Sequence, residues 1–196
     1  MTDIDQSIFS ILNAGPAPNG IVVWLAIVAA RYVILAIPVY MAFLWIGGGR
    51  RDRLTVIALL LALGMALAVS YLIGQAAFRP RPFMLGLGHQ LIEHRESASF
   101  PSNHGLAFAV WASVMFMLRR FRVAWIAVLL GVIVAWSRIY LGVHFPFDML
   151  GAVLIAIPIA MASLWVMARH GDSLLDALER LQRLALHPFS KPDHGP

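Results

Sequence analysis

The chain has no cysteine and a single lysine, and charge of either sign is scarce: 15 Lys+Arg and 10 Asp+Glu make up 13% of 196 residues. Without thiols there is no disulfide framework, no thiolate nucleophile, no iron–sulfur cluster and no zinc site built on sulfur. Side-chain chemistry must come from His, Asp, Glu, Ser or Arg. A soluble domain carries about twice this charged fraction. What the chain has in excess is apolar surface, with 60% of its residues hydrophobic. One core of this size cannot bury that much, so the remainder must face lipid.

The net charge of +5 does not imply a nucleic-acid partner. The basic residues, nearly all arginine, sit in short groups between apolar runs, which is a topology signal. A helix needs roughly 20 residues to cross about 30 Å of hydrocarbon, and five runs qualify. They are Gly20 to Gly47, Leu54 to Phe78, Pro101 to Leu118, Val123 to about Val143, and Met149 to Ala168. Arg31 interrupts the first, which either crosses whole as a tilted span or lies shallow over Ile21 to Ala30 and crosses from Tyr32. GGGRRDR (Gly47 to Arg53), RRFR (Arg119 to Arg122) and the segment from Arg169 onward, with Arg180, Arg183 and Lys191, fall on one face. The positive-inside bias makes that face cytoplasmic.

The N-terminus is acidic where a secretory signal is basic, so no cleaved signal peptide is expected. Ile4, Ile8, Ile11 and Leu12 recur at helical spacing and predict an amphipathic interfacial helix. The expected architecture is all-α: a polytopic bundle of five to six membrane helices with amphipathic helices at both ends. Its divisions are an N-terminal helix and loop over 1–19, a membrane domain over 20–168, and a cytoplasmic amphipathic helix with a flexible tail over 169–196.

Charged groups at membrane depth are costly and tend to be functional. Three polar clusters collect on the face opposite the arginine groups: RPRPF (Arg79 to Phe83), SFPSNH (Ser99 to His104) and SRIYLGVHFPFD (Ser137 to Asp148). In the first, Pro80 and Pro82 stiffen a stretch bearing two guanidiniums, whose forked donors suit phosphate oxygens. Two arginines snorkelling to headgroups would look the same. In the second, Ser102 is placed to cap a helix whose first turn holds Asn103 and His104. The free N–H groups there favour an anion, and a bound anion would keep His104 protonated as a general acid. In the third, Gly142 can end a helix, and Asp148 can reach back to accept the Nδ1 proton of His144, leaving Nε2 to attack. An Asp148–Arg138 ion pair that only neutralises two buried charges is the structural alternative. Together the clusters supply the parts for phosphoryl transfer through a phosphohistidine.

These motifs resemble the signatures of the membrane type 2 phosphatidic acid phosphatase family, which is related to the vanadium haloperoxidases. Ser-Arg, five residues, His, three residues, Asp is matched by Ser137, Arg138, His144 and Asp148, and Pro-Ser-x-His by Pro101, Ser102 and His104. The Lys, six residues, Arg-Pro motif is matched only at Arg81-Pro82. The lysine position is Gly74, or Leu72 if Arg79-Pro80 sets the register. The resemblance covers roughly Leu54 to Ala168. It implies hydrolysis of a lipid phosphate with no metal and no cofactor: His144 attacks phosphorus, Asp148 orients it and His104 protonates the leaving oxygen. Arg81, Arg138 and Ser102 hold the phosphate oxygens, with Arg79, standing in for the absent lysine, and Asn103 as further phosphate ligands.

The stretch GHQLIEHRESASFPSNH looks like the bacterial undecaprenyl-diphosphatase subgroup. That implies a lipid diphosphate substrate among membrane lipids and an inner-membrane, multi-pass enzyme whose site faces the exterior. A diphosphate also gives Arg79 and Arg95 further work. The same chemistry would serve phosphatidylglycerophosphate, phosphatidate or a lipid A phosphate. A different class, a metal-binding bundle, would use His89, Glu93, His94, His104, His144 and Asp148 as ligands; otherwise His89, Glu93 and His94 read as ordinary loop residues.

Overall fold

The computed structural model describes residues 3–186. The expected flexible tail, with Lys191, lies outside the described residues. Among the described residues all regular structure is helical: α1 (Asp3–Leu12), α2 (Gly20–Tyr32), α3 (Ala36–Gly47), α4 (Arg50–Ala76), α5 (Asn103–Met117), α6 (Phe121–Tyr140) and α7 (Pro146–Leu186), with 3₁₀ turns at Val33–Leu35 and Pro82–Leu85. Four helical stretches are long and apolar enough to cross a membrane: Gly20–Gly47, Arg50–Ala76, Phe121–Tyr140 and Pro146–Gln182. The shorter apolar α5 is the fifth hydrophobic helix of the bundle.

The first stretch is one helical run of 28 residues, at 1.5 Å per residue roughly 42 Å and so long enough to tilt. It tightens to 3₁₀ over Val33–Leu35 because Pro38 lacks the N–H that would bond the Ile34 carbonyl.

Helix α5 packs against α4, α6 and α7 at the centre of the bundle. Its buried residues, among them Leu106, Val110, Trp111, Ala112 and Met115, occupy several faces, the pattern of a helix enclosed by others. Its neighbours approach it and one another through small side chains. Ala58, Ala62 and Ala66 of α4 and Ala152, Ala156 and Ala160 of α7 recur every fourth residue and are buried. With lipid outside there is little hydrophobic gain in helix association, so close backbone approach and interhelical hydrogen bonds hold the bundle. One such bond runs from Ser163 Oγ to the Ala58 carbonyl, 2.7 Å. Leu67, Leu129, Leu154 and Trp165 point outward instead, as a lipid-facing surface requires.

Helix α7 carries the last apolar run and the amphipathic segment after it in one element. No break separates a membrane span ending near Ala168 from an amphipathic helix; α7 runs unbroken for 41 residues. Where it leaves the apolar zone, ion pairs to the start of α4 continue its support. Arg50 bonds Asp172 at 2.7 Å and Asp176 at 2.9 Å, and Arg53 bonds Glu179 at 2.9 Å. Arg120 in turn bonds Asp52 at 2.6 Å. The three arginine-rich segments therefore share one end of the bundle, and α4 carries the chain from there to the polar clusters at the other end.

Helix α1 has the expected amphipathic periodicity. Ile4, Ile8 and Ile11 are exposed, while Asp5 and Phe9 face the protein and are buried. The apolar stripe is thus the outward face, and the inward face carries a carboxylate.

Candidate active site

Three chain segments far apart in sequence meet at this end of the molecule. The α6–α7 turn sets His144. Helix α6 ends at Tyr140, Gly142 takes φ +78°, and two bonds close the helix: Gly142 N–H to the Ile139 carbonyl (3.0 Å) and Val143 N–H to the Arg138 carbonyl (3.1 Å). This is the Schellman arrangement, which favours glycine at the left-handed position. The chain then turns into α7, where Asp148 lies in the first turn. Asp148 Oδ2 accepts the Phe145 N–H at 2.8 Å, the Ser99 hydroxyl and, at 3.3 Å, His144 Nδ1.

The other ring nitrogen defines the tautomer. Arg81 Nη1 lies 3.0 Å from His144 Nε2, and a guanidinium only donates, so Nε2 holds the lone pair and Nδ1 holds the proton that Asp148 accepts. That is the form needed for attack through Nε2. Burial lowers the His144 pKa to about 3; Asp148 opposes the shift, and the charges of Arg81 and Arg138 add to it.

Arg81 itself is buried and clamped by neutral acceptors: the carbonyls of Val143 (2.9 Å), Ala98 (3.0 Å) and Ser97 (3.1 Å), and Ser97 Oγ (3.2 Å). Burial, with Arg138 beside it, lowers its pKa to about 10, so it stays cationic at neutral pH.

Ser102 is fully buried and caps α5, accepting the Gly105 N–H at 3.4 Å, while its own N–H bonds the Asp148 carbonyl at 3.3 Å. Gly105 permits this approach, since a Cβ there would stand 2.9 Å from Met149 Sδ. His104, half-buried in the first turn of α5, lies within the fields of Arg138, His94 and Arg81. Asn103 is exposed and accepts the Ser70 hydroxyl at 2.6 Å.

A cavity of about 490 Å³ opens between α4 and the segment preceding α5, lined by Arg81, Arg95, Ser97, Asn103, Tyr71 and Gly74 among others. Gly74, the position where the lysine is absent, is on its wall, whereas Leu72 points outward. Arg81 is therefore the arginine in register, and Arg95 is the additional cation on that wall.

Two expectations take a different form. Arg79 does not line the cavity; its guanidinium bridges Asp148 Oδ1 (2.8 Å) and Asp5 Oδ2, because two buried carboxylates compete for it. Arg138 is buried and forms no ion pair with Asp148; its Nε has no hydrogen-bond partner. The Asp148–Arg138 pair considered from sequence gives way to Asp148–Arg79. Among the described residues no group of three or more His, Asp or Glu is gathered to hold a metal ion.

Three groups beyond the expected site residues also stand at the site. Ser99 is buried against both Asp148 and His144 (3.4 Å from Nδ1). His94, read as an ordinary loop residue, has its ring centroid 6.3 Å from that of His144. Its Nδ1 is 3.0 Å from the Arg95 carbonyl, and burial with the nearby arginines lowers its pKa. Asp5 is the third. A carboxylate one turn before Phe9 on a short amphipathic helix was its only signal.

A helical bundle with a buried His–Asp pair joined through Arg81 to an arginine-lined cavity is the arrangement of a phosphate-transferring membrane enzyme. Residues 55–172 match the model of the PAP2 superfamily, and the chain belongs to that superfamily: it is a multi-pass membrane phosphatase. Among curated relatives, YbjG of Escherichia coli (strain K12), named as a candidate undecaprenyl-diphosphatase, is 32% identical over 184 residues, covering 94% of this chain and 93% of that one. The undecaprenyl-diphosphatase BcrC of Bacillus subtilis (strain 168) is 30% identical over 191 residues, covering 96% of each. Among solved structures, Aquifex aeolicus LpxE superposes with a TM-score of 0.66 at 25% identity, covering 83% of this chain and 96% of that one. A PAP2-type phosphatidylglycerolphosphate phosphatase from Bacillus subtilis shares the fold, with a TM-score of 0.61 at 20% identity over 86% and 88% of the two chains.

Proposed function

We propose that the protein hydrolyses undecaprenyl diphosphate to undecaprenyl phosphate and inorganic phosphate through a phosphohistidine. The observation that carries this reading is the His144 ring, held by Asp148 at Nδ1 and presenting the Nε2 lone pair to Arg81. A terminal phosphate taken up by Arg81 and Arg138 would meet Nε2 in line. The Nε2–P bond forms as the P–O bond to the lipid phosphate breaks, and His104 gives its proton to the departing oxygen. Water then attacks the phosphohistidine, His104 accepts its proton, and phosphate leaves.

The substrate class is supported by the names of the relatives and by charge. Arg81, Arg95 and Arg138 converge with His94, while Asp148 is already matched by Arg79. Such an excess of cations suits a diphosphate better than a monoester. The arginine-rich end fits the cytoplasmic side of a bacterial inner membrane, which turns the site toward the exterior.

Phosphate release by purified protein in detergent, compared across undecaprenyl diphosphate, undecaprenyl phosphate, phosphatidylglycerophosphate, phosphatidate and lipid A, tests the assignment. The diphosphate should have the highest kcat/KM, and His144→Ala should abolish its turnover. Faster turnover of any monoester would overturn the substrate, and normal turnover by His144→Ala would overturn the chemistry.

A further inference from the structure

Asp5 lies outside the matched family region and is a buried carboxylate that the mechanism above does not use. It is fully enclosed, and both oxygens are engaged at the site: Oδ2 accepts from Arg79 Nη2, and Oδ1 accepts the Phe147 N–H at 2.9 Å. The other arm of Arg79 holds Asp148 Oδ1 at 2.8 Å. A continuous chain therefore runs Asp5, Arg79, Asp148, His144.

Helix α1 is held rigidly enough to place Asp5. Phe9 packs on Phe145 with ring centroids 5.3 Å apart, and Arg79 covers the same ring at 4.8 Å. At the far end of α1, Asn13 Nδ2 donates to the Tyr140 carbonyl at 3.0 Å and the His89 carbonyl at 3.1 Å, and Ala14 N–H bonds the Tyr140 carbonyl at 3.0 Å. Both ends of the helix are thus tied to the turn that carries His144.

The charges explain why a carboxylate stands there. Asp148 paired with Arg79 alone would form a neutral unit behind His144, whereas adding Asp5 leaves one net negative charge. As Nε2 bonds to phosphorus, positive charge develops on the ring, and a preorganised negative environment stabilises it in a water-poor site. We propose that Asp5 is a positioning residue for this reaction: its carboxylate shares the Arg79 charge, so that Asp148 keeps its hold on the Nδ1 proton of His144.

The proposal rests on His144 as nucleophile, so His144→Ala is assayed alongside: turnover by that variant would sink the phosphohistidine route itself. Asp5→Asn removes the charge at constant shape, and Asp5→Ser removes it while leaving a hydroxyl acceptor. With undecaprenyl diphosphate each should lower kcat at least about tenfold, with KM within about twofold. The Nδ1 proton resonance of His144 should also move. Phe9→Ala, which loosens α1 but keeps the Asp5 charge, should lower Tm and cost kcat less than either. An uncharged variant that folds and keeps wild-type kcat, or changes KM alone, overturns the assignment while leaving His144 untouched. If neither uncharged variant folds, Asp5 is a folding anchor and the assignment falls.

Discussion

Replacing Asp148 by Asn keeps the shape and removes both the charge and one acceptor. Four donors converge on this side chain: Arg79 on one oxygen, and Phe145 N–H, the Ser99 hydroxyl and His144 Nδ1–H on the other. An amide cannot satisfy that set. If its oxygen faces His144, its NH₂ confronts Arg79; if it is flipped, the NH₂ confronts the other donors and forces the imidazole proton onto Nε2. The flipped form gives Arg79 an acceptor but sets the Nε2 proton against Arg81; wherever it is populated, it removes the lone pair that must attack. A wrong-tautomer defect of this kind costs about 10⁴ in kcat in the serine proteases, which sets the scale; at 1.36 kcal/mol per tenfold that is roughly 5 kcal/mol of barrier. An unsatisfied buried donor adds about 1–3 kcal/mol of destabilisation, moderated because Arg79 keeps Asp5. Steady-state phosphate release and a thermal melt in the same detergent read the two effects separately. A folded Asp148→Asn enzyme within tenfold of wild-type kcat would refute the tautomer argument.

Three further outcomes follow from the same geometry. His104→Asn should cost about 10²–10⁴ in kcat on a lipid diphosphate and much less on p-nitrophenyl phosphate, whose leaving group needs no proton; equal losses on both would remove His104 from the general-acid role. The His144 pKa of about 3 means that, in substrate-free protein, NMR should show a neutral Nδ1–H imidazole throughout about pH 5–7.5, whereas an unfolded histidine titrates near 6.5. The sign is definite: below 6.5 the unfolded chain binds a proton that the folded chain refuses, so His144 lowers stability as pH falls toward 3, and a titration near 6.5 would contradict the burial argument. Gly142→Ala places a Cβ at φ +78° against the His89 carbonyl. It should lose about 1–2 kcal/mol from the backbone alone, seen as a lower Tm, together with reduced kcat as the His144 turn shifts.

Much of this molecule is legible in its sequence for simple reasons. Apolar runs near the bilayer length can only be helices, because lipid offers the backbone no partners, and Gly142, Ser102 and the i,i+4 pair His144/Asp148 encode their local geometry directly. What escaped depends on contacts distant along the chain. The support of α7 beyond Ala168 depends on Asp172, Asp176 and Glu179 meeting Arg50 and Arg53. Arg79 and Arg81 look equivalent in RPRPF, and only the fold gives one to Asp5 and Asp148 and the other to His144. The outward isoleucine stripe of α1 is legible from its spacing, whereas the inward turn of Asp5 depends on Arg79 and Phe147.

Rapid acid-free quenching during turnover of undecaprenyl diphosphate labelled at the terminal phosphorus tests the phosphohistidine most directly. Acid-labile, base-stable label should appear on the protein, map to His144 and be absent from His144→Ala. Label on another residue, or phosphate release by His144→Ala at the wild-type rate, would contradict the mechanism.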